Sequence, residues 1–522
     1  MNMKKIYYFL TLLLLCTNMS CKKFLDVEPK DFLPPSYYYQ TEEQLLYSLA
    51  GVYDPLGSLD LYGRHYISRV GIEADEGFYN TSAVVSGPQV YNFTSSDTYV
   101  SGFWRELYMG INRANTLLAN VDNNLKVNEA IRLQIRGEAL FLRGYYYFLL
   151  AQNFGAVPLV LQPASSPDDT DIARSPLKEV YEQVLSDMKS AEALVAPIKT
   201  FGFGGRVNKS AVRGVLSRVC LYMAGYPLKD LSKYQEASAW AKKVIDDGEA
   251  GHMLNPDYTQ IFINYAQDKY DIKESIFEVE FWGNGADGFS ETGSVGAWIG
   301  IYSSNNDIIG NAFGFLNATA KLYRSFEASD VRRDCVVATY IYSATGTKTY
   351  YTSTTEASLY TRRVGKYRRE WELVFPKSNN ATPTNFPLLR FADVLLMYAE
   401  AENEVHNGPT TAAVDALNLV RARAHASLFT GANSLTNKTD FFNALVDERS
   451  RELCFEALRK PDLIRWGLFI PTMKGTETKM AKDIPGSFYA LAYKNVAEKH
   501  LLYPIPSREL SLNPALNQNP NW

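Results

Sequence analysis

Apolar residues recur every three or four positions over long stretches of this chain, which is the spacing of amphipathic α-helices. Asn, Ser-Pro, Gly and Pro at the ends of these stretches mark helix boundaries. Long helices are predicted at Phe103–Val121, 128–154, 176–196, Ser210–Gly225, Tyr234–Asp247, Leu388–Val405, Thr411–Ala424 and Asp440–Leu458. Paired antiparallel helices of this length, closed by Gly or Pro, favour tetratricopeptide-like stacking.

Residues 251–386 have a different pattern. Helical periodicity fades there, Gly, Asn, Ser and Thr become frequent, and short β-prone runs occur at Ser275–Phe281 and Val336–Ser343. The predicted fold is therefore mainly α, with tetratricopeptide-like helical repeats packed against a loop-rich region that has a few short strands. Because helical segments flank this region, we expect a single domain at 41–522, with helical units at about 41–250 and 387–470.

The first residues have the pattern of an export signal. Lys4 and Lys5 precede a short apolar run that is too short to span a bilayer, and Ser20-Cys21 follows a polar stretch. We expect residues 1–20 to be a signal peptide, Cys21 to become a lipidated N-terminus, and residues 21–40 to form a tether. No later run approaches about 18 consecutive apolar residues. The mature chain is thus expected to stay at a membrane only through its lipid.

Composition and charge exclude several classes of function. The net charge of −4 and the lack of long basic runs give no electrostatic footprint for nucleic acid. Cys220, Cys335 and Cys454 are far apart and follow no metal-ligand spacing, so buried free thiols are predicted and no metal or cofactor. The segment 202–210 resembles a phosphate loop only faintly, because Asn208 stands where Gly should precede Lys209, and we interpret it as a loop that enters a helix.

Aromatic residues are unusually frequent, with 35 Tyr, 27 Phe and 7 Trp. Helix packing accounts for many of them, and Trp104, Trp240 and Trp466 in helical segments are expected in the core. In loops, aromatic faces beside amides or acids suit the stacking and hydrogen bonding of a sugar. The ligand-binding candidates are Tyr79, Asn80, Trp282, Asn284, Trp298, Tyr302 and Asn305, the last within Asn305-Asn306-Asp307.

Two groups of charged residues could be catalytic or structural. A glycoside hydrolase needs two carboxylates about 5 to 9 Å apart across a cleft. We favour an ion-pair network for the larger group, because it lies among Leu453, Phe455 and Leu458. For the smaller group, Glu73 with Asp75 and Glu76, we favour a solvated loop. The larger group comprises Glu448, Arg449, Arg451, Glu452, Arg459, Asp462 and Arg465.

The order of short motifs along the chain resembles the SusD/RagB family of outer-membrane nutrient-binding lipoproteins. The motifs run from the proposed lipid anchor to the last residue. They are Cys21–Asp26, Phe103–Asn115, Arg136–Phe148, Asn153–Leu159, Gly205–Ala211, Pro387–Ala401, Leu419–Ala424, Glu448–Glu456, Tyr503–Pro506 and Asn519–Trp522.

The resemblance implies that the protein captures a nutrient without catalysis, most often a glycan. It also implies that the protein acts as a lid on a SusC-like TonB-dependent transporter at the outer face of the outer membrane. Lys22 and Lys23 follow the anchor, so exposure on the cell surface rests on the resemblance alone. Three alternatives stay open: a peptide-binding member of the family, an anchored glycoside hydrolase, and a tetratricopeptide scaffold for a protein partner.

Overall fold

The computed structural model describes residues 38–71, 74–163, 171–286, 292–304, 308–377 and 380–522. Cys21, residues 1–20 and most of the tether lie outside the described residues, as do Glu73 and Asn305.

Most of the secondary structure is helical, which confirms the predicted fold class. The α-helices are α1 Glu42–Gly57, α2 Thr98–Asn120, α3 Glu129–Phe154, α4 Leu177–Leu194, α5 Ile198–Phe201, α6 Lys209–Ala224, α7 Lys233–Ile245, α8 Tyr258–Ala266, α9 Val295–Ile299, α10 Ala320–Ser325, α11 Arg332–Val336, α12 Glu356–Leu359, α13 Phe391–Val405, α14 Thr411–Arg423, α15 Lys438–Leu453, α16 Arg459–Arg465, α17 Phe469–Asp483, α18 Leu491–Asn495 and α19 Ser507–Leu512.

The strands are short and pair across long distances in sequence. They are β1 Gly77–Tyr79, β2 Ser275–Val279, β3 Leu316–Ala318, β4 Tyr340–Tyr342, β5 Lys348–Tyr350 and β6 Phe386–Arg390. The antiparallel pairs are β1 with β3, β2 with β6, and β4 with β5. The pairing of β1 with β3 and the pairing of β2 with β6 connect the loop-rich region to the helical part of the chain.

The long helices stack side by side in nearly sequential order. Helix α1 packs on α2 and α3, α3 packs on α4, α4 on α6, and α6 on α7. The next neighbour of α7 is α13, which in turn packs on α14 and α15. The loop-rich segment therefore leaves and re-enters the stack between two helices that contact each other.

Helix ends follow the predicted signals at most positions. The Asn128 side chain accepts the Ala130 N–H at 2.9 Å and caps α3, and Gly155 with φ of 75° ends it. Asn208 caps α6 by accepting the Ala211 N–H at 3.0 Å, which confirms a loop entering a helix at this segment. Pro176 was expected at the first helical position and lies one residue earlier, at the N-cap of α4.

Two predicted helices are too long. Residues 388–390 belong to β6 because they pair with β2, so α13 begins at Phe391. Helix α15 ends at Leu453 and not at Leu458, since Cys454 is extended and Phe455 has a positive φ of 61°. The β-prone run 336–343 forms strand only at 340–342, and Val336 ends α11 instead.

Tyrosine hydroxyls explain how so many tyrosines fit in the core. Tyr145 and Tyr62 share a hydrogen bond of 2.6 Å between their hydroxyls, and Tyr146 donates to the Val52 carbonyl at 2.6 Å. Each buried ring thus has a partner for its polar tip. The prediction of free, buried thiols is confirmed for Cys220, Cys335 and Cys454.

Candidate functional site

The antiparallel pairing of β1 with β3 brings the first half of the chain against the loop-rich region. Tyr79 lies opposite Leu316, and the Asn80 N–H donates to the Phe315 carbonyl at 3.0 Å. The Phe315 N–H in turn donates to the Trp298 carbonyl at 3.0 Å. Backbone hydrogen bonds therefore place Tyr79 and Asn80 next to Trp298, although more than 200 residues separate them in sequence.

Aromatic rings surround Trp298 on this face. The rings of Phe313 and Phe315 are stacked at 5.1 Å with an interplanar angle of 17°, and the Trp298 ring lies 5.1 Å from Phe315. Tyr79 continues the row, stacked on Phe315 at 5.8 Å. Trp298 and both Phe residues are half-buried, so part of each residue is open to solvent. We call this group, with Arg64, Arg69 and Tyr99, the Trp298 cluster.

The two arginines of the Trp298 cluster reach it from one helical turn. The guanidinium carbon of Arg64 lies 5.0 Å from the centre of the Trp298 ring, and that of Arg69 lies 5.1 Å from it. Residues 66–70 form a π-helix, in which hydrogen bonds join residues five apart. Arg69 lies within this π-helix and Arg64 lies just before it, so both arginines reach Trp298 from one short segment. The Tyr79 hydroxyl fixes this turn by donating to the Ser68 carbonyl at 2.6 Å.

Like charges and burial set the electrostatics of the Trp298 cluster. Burial lowers the pKa of the Arg64 guanidinium, and the neighbouring charge of Arg69 lowers it further. The Arg64 Nε donates to the Ser294 hydroxyl at 3.1 Å, whereas the buried Nε of Arg69 has no acceptor among the described residues. The Trp298 indole N–H likewise has no acceptor there.

A groove of about 810 Å³ lies beside α1, on the side of β2. Its wall includes Leu49, Tyr53, Phe203, Glu280 and Phe281. Burial and the negative charge of Glu278 together raise the pKa of Glu280 to about 7. The groove thus has apolar residues together with both acidic and basic side chains, Arg113 and Arg206 among them.

Comparisons with known proteins agree with this architecture. The profile of the SusD family matches residues 335–522, and a second profile, described as starch-binding and associating with the outer membrane, matches residues 23–221. The SusD-like protein P25 of Formosa agariphila is 26% identical over 99% of this chain and 98% of its own length. The chain belongs to the SusD/RagB family.

Other members of the SusD/RagB family match over nearly the whole chain. The starch-binding protein SusD of Bacteroides thetaiotaomicron is 23% identical, with 96% of each chain covered. The crystal structure of a SusD homologue from the same species superposes with a TM-score of 0.85 at 28% identity, over 94% of this chain and 98% of that one. The predicted family is therefore confirmed.

The structure distributes the predicted site residues of this SusD-family chain over several places. Tyr79, Asn80 and Trp298 come together as described, and the Asn80 amide donates to the Gly314 carbonyl at 2.6 Å. Tyr302 is 40% exposed, and its ring lies 5.8 Å from the guanidinium carbon of Arg363. The ring of Tyr79 is buried, so its place in the stack is to support Phe315.

Trp282 and Asn284 lie in a separate loop that begins at the wall of the groove. Trp282 is 55% exposed, whereas Asn284 is buried and its side-chain amide donates to the Pro376 carbonyl. Gly283 allows the turn between them, with φ of 71°. Asn305 lies outside the described residues. A ligand-binding role for these residues stays a prediction.

Sequence reasoning missed the arginines and phenylalanines of the Trp298 cluster. Phe313 and Phe315 alternate around a glycine within the loop-rich region, and that aromatic alternation is a signal that could have found them. The role of Arg64 and Arg69 had no local signal. Arg64 lies outside the π-helix at 66–70, and no nearby sequence pattern shows that both arginines lie against Trp298.

The larger group of charged residues forms a structural network in the core. Arg390 contacts Glu274 at 2.9 Å, Glu452 at 2.9 Å and Glu456 at 2.8 Å, and all four side chains are buried. Three arginines, Arg423, Arg390 and Arg332, hold the pKa of Glu452 well below its usual range, although burial alone would raise it. Arg449 and Arg465 both pair with Asp462, so the predicted ion-pair network is confirmed for this group.

The smaller acidic group is not a solvated loop, so that prediction was wrong for its two described residues. Asp75 and Glu76 are 2% and 4% exposed. Asp75 accepts from Arg459 at 2.8 Å and from Lys321 at 2.6 Å. Arg459 is 384 residues further along the chain, which is why local sequence could not reveal the pairing.

Trp104 is buried as predicted, whereas Trp240 and Trp466 are only half-buried against their helices.

Across the described part of the chain, no helix is long and apolar enough to cross a membrane. Within the same residues, no three His, Cys, Asp or Glu side chains are grouped so that they could hold a metal ion.

Proposed function

We propose that this SusD/RagB protein binds an oligo- or polysaccharide at the outer membrane without cleaving it. The observation that carries the proposal is the row of partly exposed rings at Trp298, Phe313 and Phe315. Sugar rings present flat C–H faces, which pack on aromatic rings, and their hydroxyls need fixed polar partners. The descriptions of the family and of its relatives as starch-binding support a glycan as the ligand.

In this proposal the lipid on Cys21 anchors the protein at the exterior face of the outer membrane. It then delivers its glycan to a SusC-like TonB-dependent transporter. Two experiments test these parts separately. Replacement of Cys21 by Ala should move the protein from the membrane to the soluble fraction, and affinity purification from solubilised membranes should co-purify a barrel-sized partner with the wild-type protein. A soluble wild-type protein would contradict the anchor.

The glycan site is tested by calorimetry against a panel of soluble polysaccharides. Trp298→Ala removes the central ring, so binding should weaken about tenfold or more, as for other central aromatic anchors. Trp240→Ala is the matched control, because Trp240 packs against Lys243 on α7, away from the cluster. Equal affinities of wild type and Trp298→Ala for a bound glycan would exclude the Trp298 cluster as the site.

The glycoside hydrolase alternative is tested in the same samples by measuring released reducing ends. Release that one carboxylate substitution abolishes would overturn the non-catalytic proposal. The network carboxylates are poor candidates, since Glu448 and Glu452 are buried and already bound to arginines.

Peptide binding is the second candidate function, and the groove beside α1 favours it. Its volume and its apolar wall suit the side chains of a short peptide, and Glu280 is a hydrogen-bond partner for the polar groups of such a peptide. A peptide library screened against the protein would reveal this function. Peptide binding that Glu280→Gln abolishes and Trp298→Ala leaves unchanged would assign it to the groove.

A further inference from the structure

Arg64 and Arg69 differ from the buried arginines of the core because neither has an acidic partner. No carboxylate of the described residues lies within ion-pair distance of either one, whereas Arg390 and Arg332 each contact three. Arg64 uses only its Nε, with Ser294. Arginines held close together without counter-charges are costly, since burial disfavours the charged form and like charges repel.

The two guanidinium groups can act on one ligand group. Both lie about 5 Å from the centre of the Trp298 ring, so no more than about 10 Å separates their carbon atoms. Arg69 also lies 4.6 Å from the centre of the Tyr99 ring. Stacking against rings orients the planar groups and leaves their N–H edges free to donate to a carboxylate or sulfate.

Asp97 interacts electrostatically with Arg69, but its carboxylate already accepts hydrogen bonds from the start of α2. Asp97 caps α2, where its side chain accepts the N–H groups of Tyr99 at 2.9 Å and Val100 at 3.1 Å. Its charge is thus directed at the positive end of a helix, and it forms no ion pair with Arg69. Asp60, the other carboxylate near the cluster, pairs with His65 at 2.8 Å and with Arg105 at 2.6 Å.

A third arginine extends this positive surface. Arg363 lies against Tyr302, and it donates to the Gly314 carbonyl at 2.8 Å and to the Asn317 side chain at 2.9 Å. The Asn80 amide donates to the same two acceptors, which ties Arg363 to the edge of the Trp298 cluster. Arg363 has no ion pair with a described carboxylate.

We infer that the ligand is a negatively charged glycan, whose carboxylate or sulfate groups bind Arg64 and Arg69 while a sugar ring packs on Trp298. This inference rests on the proposed glycan-binding function. A neutral sugar would cover the two arginines and leave their charges unpaired. An anionic sugar supplies acidic acceptors that the described residues do not place beside Arg64 and Arg69, in the paired geometry that guanidinium groups favour.

The test compares polysaccharides that differ only in charge. Polygalacturonate is compared with its methyl ester, and a sulfated galactan with its chemically desulfated form, by calorimetry at low and high salt. We expect the wild-type protein to bind at least one charged member about tenfold or more tightly than its neutral partner, with affinity falling as salt rises. The two arms separate carboxylate from sulfate recognition.

Variants locate the effect in the Trp298 cluster. Arg64→Gln and Arg69→Gln should each weaken binding of the charged glycan about tenfold and leave the neutral form unaffected. Arg324→Gln is the matched control, since Arg324 is an exposed arginine that pairs with Glu356 away from this face. Circular dichroism and thermal unfolding of each variant establish that it is folded.

The outcomes distinguish this inference from the proposal on which it rests. Equal binding of charged and neutral partners, lost in Trp298→Ala but kept in both arginine variants, would overturn the inference and leave glycan binding intact. Failure of every charged and neutral glycan to bind would overturn both. Equal losses in Arg324→Gln and Arg69→Gln would also overturn the inference, because the effect would then be one of net charge.

Discussion

Replacing Glu452 by Gln should destabilise the protein strongly, because Glu452 joins three arginines in the core. Its carboxylate contacts Arg423 at 2.6 Å, Arg390 at 2.9 Å and Arg332 at 3.0 Å. All of these side chains are buried. The substitution keeps the shape of the side chain, so it creates no cavity and removes only the negative charge.

The size of the effect follows from burial. Removing one partner of a buried ion pair costs about 3–5 kcal/mol, because the remaining charge is left uncompensated in the interior. Arg332 and Arg390 keep other acidic partners, Glu448 and Glu456 among them, which places the expected loss near about 3 kcal/mol. That is a large share of a typical folding stability of about 5–15 kcal/mol.

Urea unfolding followed by tryptophan fluorescence measures this loss. The control is Glu182→Gln, an exposed residue whose pair with Lys178 is 3.8 Å long, and it should change stability by less than about 0.5 kcal/mol. A loss in Glu452→Gln as small as in this control would refute the reasoning, because the buried carboxylate would then add nothing beyond its shape.

The difference in stability between wild type and Glu452→Gln is also predicted to depend on pH. The pKa of Glu452 is lowered in the folded state, against burial, by its three arginines. The stabilisation is therefore fully present above the unfolded-state pKa of about 4.3 and is lost as the pH falls through the lower folded-state value. The difference between wild type and Glu452→Gln should be constant from about pH 5 to 8 and shrink in stronger acid.

Three further predictions concern other parts of the fold. Burial raises the pKa of Glu76 to about 8, so the contribution of Glu76 to stability should fall as the pH rises from about 4.5 to 8. At pH 8.5 the Glu76→Gln variant should be more stable than the wild type by up to a few kcal/mol. Urea unfolding measures this difference. Gly110→Val should lower the thermal unfolding temperature by several degrees, because even a Cβ at this position would overlap the Tyr146 ring. An unchanged unfolding temperature would contradict the close packing of α2 on α3. Asn128→Ala should cost about 1 kcal/mol through loss of the α3 cap, whereas Asn128→Asp should restore most of it.

Local signals in the sequence were sufficient for most long helices. Asn128, Gly155 and Asn208 act within one turn of the helix ends that they define, so the sequence contains the whole cause. The family motifs added the fold class, since their order along the chain does not depend on any single helix boundary.

The end of α15 shows where local reasoning fails. Its apolar pattern continues to Leu458, yet the helix ends at Leu453 because distant groups take up its last carbonyls. The Lys366 ammonium donates to the carbonyls of Glu452 at 3.1 Å and Cys454 at 2.8 Å, and Tyr258 donates to that of Glu452 at 2.8 Å. These donors come from the loop-rich region, and no pattern near residue 453 reveals them.

The prediction of the candidate site was incomplete for the same reason, because its residues come from segments that are distant in sequence. Trp298 was predicted from its place in a Gly-rich segment, but its charged neighbours Arg64 and Arg69 come from a turn more than 200 residues earlier. The pairing of β1 with β3 and the hydrogen bonds of Ser294 to the Gly63 carbonyl and the Arg64 side chain bring the two segments together. A charge partner across such a distance needs the tertiary structure, as Asp75 with Arg459 also demonstrates.

The residues that stabilise the fold are separate from the residues of the proposed ligand-binding face. The ends of the loop-rich segment are fixed where α7 contacts α13 and where β2 pairs with β6, and the buried carboxylates and arginines lie beneath that junction. The aromatic face is set instead by the register of β1 on β3, in which Tyr79 lies opposite Leu316. A slip of one residue there would turn Tyr79 away from Phe315 and release the turn that holds Arg64 and Arg69. Substitutions in the loops around the aromatic face are therefore expected to leave the junction, and with it the fold, intact.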